Sequence, residues 1–258
     1  MEIIDTHTHI YDKNDFGNDQ EEVIIRMKKE GITHVILPNI DLNTIPDLLD
    51  FERRDTNHFH CLMGLHPENI KENYKKELNC ILEEFDNHKY YGVGEIGIDL
   101  YWDQSHLKEQ IEAFEAQVDY ASKNELPIII HCRNGFKEIQ NCLREFDKNK
   151  IFGIFHSFTG TKDEYEEIKN LGDFKIGVNG IITFKNSENL RKTIKEIPLS
   201  DIVLETDAPY LAPIPYRGKR NESSFIVKVA EKIADIKEMD IENVAKETSK
   251  NAKVVFSL

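Results

Sequence analysis

The chain is short of paired cysteines, of positive charge and of long apolar runs, and each shortage excludes something. Its four cysteines, Cys61, Cys80, Cys132 and Cys142, are scattered and form no C-x-x-C pair. That disfavours a disulfide framework and points to reduced thiols in a cytoplasmic protein. No apolar run approaches the ~18 residues needed to span a membrane. The first ten residues lack a basic segment and carry Asp5 inside their only apolar stretch, which argues against a signal peptide. The net charge is −14, so a polyanion is repelled on average and any nucleic-acid contact must rest on a local positive site. Low-complexity segments, Pro/Gly-rich linkers and fixed-motif repeats are also missing. No G-x-G-x-x-G follows the first apolar run, which disfavours a dinucleotide-binding open sheet.

What is present is an alternation of element types. Eight short runs, "EIIDTH", "THVILPN", "FHCLMGLH", "YYGVGEIG", "LPIIIHC", "FGIFHS", "FKIGVNG" and "DIVLETD", are separated by amphipathic stretches. In "SHLKEQIEAFEAQVDYASKNEL", Leu107, Ile111, Phe114, Val118 and Ala121 form one stripe at steps of four and three. Ser105 is the expected N-cap of that helix. Two more helices are expected after the eighth run, over 225–236 and 241–256, the last capped by Asp240. Strands alternating with helices predict a parallel sheet. Eight such units in 258 residues predict a closed (β/α)8 TIM barrel forming a single domain over residues 1–258, with a doubly wound open sheet as the competitor.

In such a barrel the chemistry gathers at the C-terminal ends of the strands. The runs finish in His7 and His9, then Glu95, His131, His156 and Asp207, and the third is followed by His66. Residues two apart on a strand share a face, so His7 and His9 are expected to project together into the barrel mouth. Asp5 shares their parity one layer deeper, where it could orient a ligand. Glu205 faces inward with Asp207, while Ile202, Leu204 and Thr206 face the helices. His34, His58, His60, His88 and His106 fall at strand starts, strand interiors or helix surfaces and read as structural. Cys132 has the opposite parity to His131 and is expected to pack outward, and Cys61 to lie in the core.

Six candidate ligands exceed what one open tetrahedral site requires. The expected arrangement is two divalent ions, one held by His7, His9, Glu95 and Asp207, the other by Glu95, His131 and His156, with Glu95 bridging. Paired ions suit hydrolytic phosphoryl transfer. His/carboxylate sets admit Zn, Mn, Co or Fe, and Mg tolerates histidine poorly. Arg133 shares His131's parity, and Arg217, Lys219 and Arg220 form a basic loop after the eighth run. Guanidinium groups there could grip phosphate, or the loop could be a solvated charge cluster.

"DTHTHI", "GLHPENI", "GVGEIGIDLYWD", "PIIIHCRN", "GIFHSFTG", "VNGIITFKN", "LETDAPYLAP" and "KRNE" together resemble the TatD-like metal-dependent deoxyribonucleases of the amidohydrolase superfamily. The resemblance runs from residue 2 to the C-terminus. It implies a TIM barrel, places His7, His9, Glu95, His131, His156 and Asp207 on the family's metal-ligand positions, and puts His66 beside the substrate phosphate. It implies a Mg-dependent 3′–5′ exonuclease acting on DNA or RNA ends, or the D-aminoacyl-tRNA deacylase activity attached to some members. Catalytic roles are expected for Asp207, Glu95 and His66, and substrate contacts for His66, Arg133 and Arg220. The expected partners are nucleic-acid ends, with no membrane, and the expected state is a monomer or weak oligomer. Asn134 departs from the acidic residue the family commonly has after "HCR". The rival readings are a small ester or amide hydrolase, which would commonly bridge its metals with a lysine, and a metal-containing binder of nucleic-acid ends without turnover.

Overall fold

The computed structural model describes residues 1–101 and 103–258. Among the described residues eight short strands run in parallel, most of them rich in Ile or Val. They are β1 (Ile3–Asp5), β2 (Ile32–Pro38), β3 (Phe59–Leu62), β4 (Val93–Asp99), β5 (Ile128–Arg133), β6 (Phe152–Phe155), β7 (Asp173–Val178) and β8 (Ile202–Leu204). β1 to β3 pair in order, as do β4 to β8. Two parallel bridges, Met63 to Val93 and Thr8 to Ala208, join the two sets at both seams. The sheet therefore closes on itself, and the open-sheet competitor is excluded.

Among the described residues ten α-helices wrap it: α1 (Lys13–Phe16), α2 (Gln20–Lys29), α3 (Ile45–Glu52), α4 (Tyr74–Glu83), α5 (Leu107–Asn124), α6 (Phe136–Leu143), α7 (Lys162–Leu171), α8 (Glu188–Glu196), α9 (Ile226–Lys237) and α10 (Ile241–Phe256). At least one follows every strand, as a right-handed β-helix-β path requires. The expected stripe of α5 packs inward as drawn, with Phe114, Val118 and Ala121 buried and Leu107 and Ile111 against the same core. Its start differs. Asp103 Oδ1 accepts from Ser105 N at 2.8 Å, an Asx turn that spends this residue before the helix, and the cap position falls on His106. Asp240 holds the cap position of α10 in extended conformation, without a side-chain capping bond. Thr161 and Glu164 form a full capping box on α7.

Two apolar layers result. The larger lies between barrel and helices. The smaller fills the lower barrel with Ile4, Ile36, Leu62, Ile129, Ile154 and Val203, and α10 closes it from below with Ala252, Val255 and Phe256. A floor of aliphatic side chains leaves only the upper rim for polar chemistry. No helix among the described residues is long and apolar enough to cross a membrane.

Candidate metal centre

The strand tips carry their polar side chains to one place. Above the aliphatic floor, alternation on β5 sends Ile129 inward and Ile130 outward, and therefore His131 inward with Arg133. Cys132 packs against the outer layer and Cys61 is buried there, as expected. β6 places Ile154 inside and continues to His156, and β8 places Val203 inside and continues to Glu205. β4 does not follow the rule. Its pairing with β5 shifts register between Val93 and Ile96, so Gly94 lies over Leu62 and Ile129 while its neighbour Glu95 also reaches the interior.

Glu95 is the centre of the constellation and is 2% exposed. Its Oε2 lies 3.1 Å from His7 Nε2 and 3.7 Å from His9 Nε2. Its Oε1 lies 2.8 Å from His131 Nδ1 and 3.7 Å from His156 Nε2. Asp207 Oδ1 stands 3.8 Å from His7 Nε2, 4.0 Å from His9 Nε2 and 3.8 Å from His156 Nε2. The six expected side chains are thus brought within one small volume, with the two oxygens of Glu95 facing different imidazole pairs.

These donors fit divalent cations. A tetrahedral centre with ligands at ~2.0–2.1 Å has ligand–ligand edges of about 3.3–3.4 Å, and the separations above bracket that value. His7 Nε2 and His9 Nε2 lie 3.2 Å apart, close enough for both lone pairs to hold one cation. His7 and His156 stack with ring centroids 3.5 Å apart, and His7 Nδ1 is buried without a hydrogen-bond partner among the described residues. Such crowding of imidazoles costs free energy unless positive charge is shared among acids.

The proton affinities express the same balance. Burial holds His7 well below the usual imidazole range and pulls His9 down to about 4. Burial also opposes charge on His131 and His156. Hydrogen bonds to Asp99 and Glu95 nevertheless raise His131 to about 9, and Glu205, Glu95 and Asp207 raise His156 to about 10. Burial raises Asp207 to about 7. Burial opposes charge on Glu95 too, but the surrounding histidines hold it well below the ordinary carboxylate range. Bound cations would take the place of the protons on His131 and His156.

His66 reaches the same volume, 3.5 Å from Glu95 Oε1 and 3.3 Å from His131 Nδ1. Glu68 N donates to His66 Nδ1 at 3.2 Å. A neutral His66 accepting there carries its hydrogen on Nε2, so it faces the centre as a donor and not as a ligand. Gln117 of α5 fixes this loop by accepting from Leu65 N at 2.7 Å and donating to Leu65 O at 3.3 Å.

One expectation, the parity of Asp5, is corrected by the geometry, and two basic residues find local partners. Asp5 does not share the face of His7. It accepts from Thr206 N at 2.9 Å and Thr206 Oγ1 at 2.7 Å, because β1 ends at Asp5 and strand alternation stops there. It still braces the site through the main chain, accepting from His7 N at 3.4 Å where His7 O receives Asp207 N at 2.9 Å. Arg220 is turned away to structural partners. It donates to Asp19 Oδ2 at 2.7 Å and Asp15 O at 2.9 Å and covers the Phe16 ring. The basic loop is likewise not aimed as a unit, since Arg217 lies on the Phe184 ring. Arg133, in contrast, stays on the inward side of β5, stacked 3.7 Å from the Tyr101 ring centroid.

Glu205 backs His156 from below, with Oε2 3.1 Å from Nδ1, and accepts from Ser157 N at 2.6 Å. Gly177 is required beside it, since a Cβ there would stand 2.2 Å from Glu205 Oε2. Asn134, Ser157 and Asp207 all adopt positive φ, 57°, 50° and 57°, turning the chain sharply just past the ligand-bearing strands. Asn tolerates that conformation well, so Asn134 fits its backbone. Asp99 is the residue the sequence reading missed. It lies four residues past Glu95, beyond the end of the fourth run as read from sequence, and contacts His131 Nε2 at 2.9 Å through Oδ2. His34 and His60, read as structural, pair with each other at 2.9 Å, and His88 pairs with Glu52.

A profile described as TatD related DNase matches residues 4–257. The chain belongs to the TatD-related DNase family. With that membership it is a metal-dependent hydrolase of the TatD type. It is 35% identical over 256 residues to an uncharacterized metal-dependent hydrolase, YabD, of Bacillus subtilis, with 99% of both chains covered. It is 27% identical over 248 residues to the 3′-5′ ssDNA/RNA exonuclease TatD of Erwinia amylovora, covering 94% of this chain and 95% of that protein. Among solved structures, the TatD homolog YjjV of Escherichia coli superposes with a TM-score of 0.91 at 26% identity, covering 99% and 98% of the two chains.

Proposed function

We propose that this TatD-family hydrolase is a deoxyribonuclease of the 3′–5′ exonuclease type, cleaving phosphodiester bonds at nucleic-acid ends. The observation that carries the reading is Glu95, whose two buried oxygens face two separate imidazole sets. His7, His9, Glu95 and Asp207 would hold one divalent ion, and Glu95, His131 and His156 the second, with zinc or manganese the better chemical match and magnesium the weaker. Such a pair, when bound, supplies an activated water and neutralises charge on the attacked phosphate.

The chain's own residues supply the rest. Asp207, whose Oδ1 lies 3.8–4.0 Å from His7, His9 and His156, would take the proton of the attacking water. His66 presents Nε2–H to the same volume and can donate to a phosphate oxygen or to the departing 3′ oxygen. Arg133, on the inward side of β5 and stacked on Tyr101, would help hold the strand, while Arg220 pairs with Asp19. An exonuclease needs only one end and a few phosphates, which is compatible with a net charge of −14. The family relative named as an ssDNA/RNA exonuclease supports this substrate class.

A second reading is ester or amide hydrolysis, including deacylation of aminoacyl-tRNA. Glu95 stands where related amidohydrolases commonly carry a bridging lysine, which favours the nuclease. The test is single-turnover cleavage of a 5′-labelled single-stranded oligonucleotide with Mg2+, Mn2+ or Zn2+, beside a D-aminoacyl-tRNA and a Glu95→Ala control. Progressive shortening from the 3′ end by the wild type alone supports the proposal. Release of amino acid with an intact oligonucleotide sinks it.

A further inference from the structure

Asp99 lies at the last position of β4, 2% exposed, and touches one of the six candidate ligands. We propose that Asp99 is a positioning residue for the second-ion half of the centre, acting through His131 and leaving the His7–His9 half untouched. The inference rests on the two-ion reading above and deepens it.

Both ring nitrogens of His131 face carboxylates, Nε2 meeting Asp99 Oδ2 at 2.9 Å and Nδ1 meeting Glu95 Oε1 at 2.8 Å. Nδ1 is the one turned to the shared ligand Glu95, so Nδ1 would ligate while Nε2 keeps its hydrogen on Asp99. An anionic partner behind a ligating imidazole fixes its ring and raises its donor strength. Asp99 is itself held rigid. Its Oδ1 accepts from Tyr101 N at 2.8 Å. Its own N–H donates to Gln110 Oε1 at 2.9 Å, and its carbonyl accepts from Gln110 Nε2 at 3.1 Å. Gln110 belongs to α5 and is 4% exposed, so a buried helix side chain sets the aspartate, and the aspartate sets the histidine.

The two halves of the centre differ in this respect. His131 is hydrogen-bonded to the acid Asp99, and His156 Nδ1 faces the acid Glu205 as an ion pair at 3.1 Å, without hydrogen-bond geometry. His9 Nδ1 instead meets the neutral Tyr11 hydroxyl at 3.2 Å, and His7 Nδ1 has no hydrogen-bond partner among the described residues. The half built from His131 and His156 therefore owes its cation affinity to charge behind the ligands. The half built from His7 and His9 owes its affinity to Glu95 and Asp207 in front.

Chelator-stripped protein titrated with Zn2+ in a calorimeter reads this directly. The wild type is expected to bind in two steps. Asp99→Asn, which keeps the shape and removes the charge, is expected to weaken one step by roughly 10–100-fold and leave the other unchanged. Asp99→Ala is expected to weaken the same step further, and circular dichroism reports whether either variant has lost the fold. NMR of stripped, 15N-histidine-labelled wild type is expected to show an exchange-protected Nε2 proton on His131, lost in Asp99→Ala. No such proton in the wild type, or equal Zn2+ affinities in wild type and Asp99→Asn, overturns the proposal. A single binding step in the wild type would refute the two-ion reading. Asp99 would then still be supported if its loss weakens that step, and overturned if it does not.

Discussion

Asp207 joins a strand end, a positive φ and three imidazoles at one carboxylate. Asp207→Ala should abolish hydrolysis while circular dichroism and melting temperature stay near the wild type, since the residue supports chemistry more than packing. Unchanged kcat at saturating metal would contradict its role. Arg133→Ala should raise KM for an oligonucleotide several-fold more than for a small phosphodiester, and equal effects on both would remove it from strand binding. At this scale the sequence was informative wherever a polar side chain ended an apolar run, because a strand tip is the one place where His, Glu or Asp can leave the core without reaching the helices. It was silent on Asp99 and on the partner of Arg220. The first binds a histidine 32 positions away and the second an aspartate 201 positions away, and no local pattern encodes such partners.

Among the elements, α5 does more than its apolar stripe announces. Gln110 and Gln117 lie on its buried side and hold Asp99 and Leu65, the residues next to the two most distinctive parts of the site. Gln117→Leu should leave the Leu65 N–H unpaired, cost about 1–3 kcal/mol in urea unfolding, and lower kcat through His66. An unchanged kcat would confine Gln117 to stability. A buried glutamine on an apolar helix face is visible in sequence, but its partner is not. The register shift in β4 was equally hidden, although it is what brings Glu95 inside. Below the barrel, Asp201 before β8 accepts from Tyr165 OH, Lys169 Nζ and Lys175 Nζ. Burial alone would raise its proton affinity, but these donors hold it below the ordinary aspartate range. A depressed carboxylate contributes stability above its unfolded pKa and loses it as pH falls through the folded one. Asp201→Asn should therefore cost about 1–3 kcal/mol at pH 7, with the gap to wild type closing as pH drops below about 4. A gap independent of pH would mean that shape, not charge, is what Asp201 provides.

At the level of the whole molecule, closure at two seams and a plugged floor leave the centre at the upper rim among the described residues. The alternation of eight runs was enough to foresee the barrel, because parallel strands need helical returns and eight of them close. The use of α10 as a floor was not foreseen, since its stripe looks like any other amphipathic helix. Phe256 is 3% exposed in the inner layer, so Phe256→Ala should cost about 3–5 kcal/mol by chemical denaturation while leaving the cleavage rate of the remaining folded protein unchanged. A loss under 1 kcal/mol would mean the floor is held by other contacts. The acidic surface, which first argued against nucleic acid, leaves attraction to the rim, where cations and Arg133 would oppose a general repulsion. The claim beneath all of this is that Glu95 bridges two ions. Anomalous diffraction from zinc-loaded crystals tests it most directly. Two peaks ~3.5–4 Å apart, one against each oxygen of Glu95, are predicted; a single peak, or peaks away from Glu95, would contradict the account.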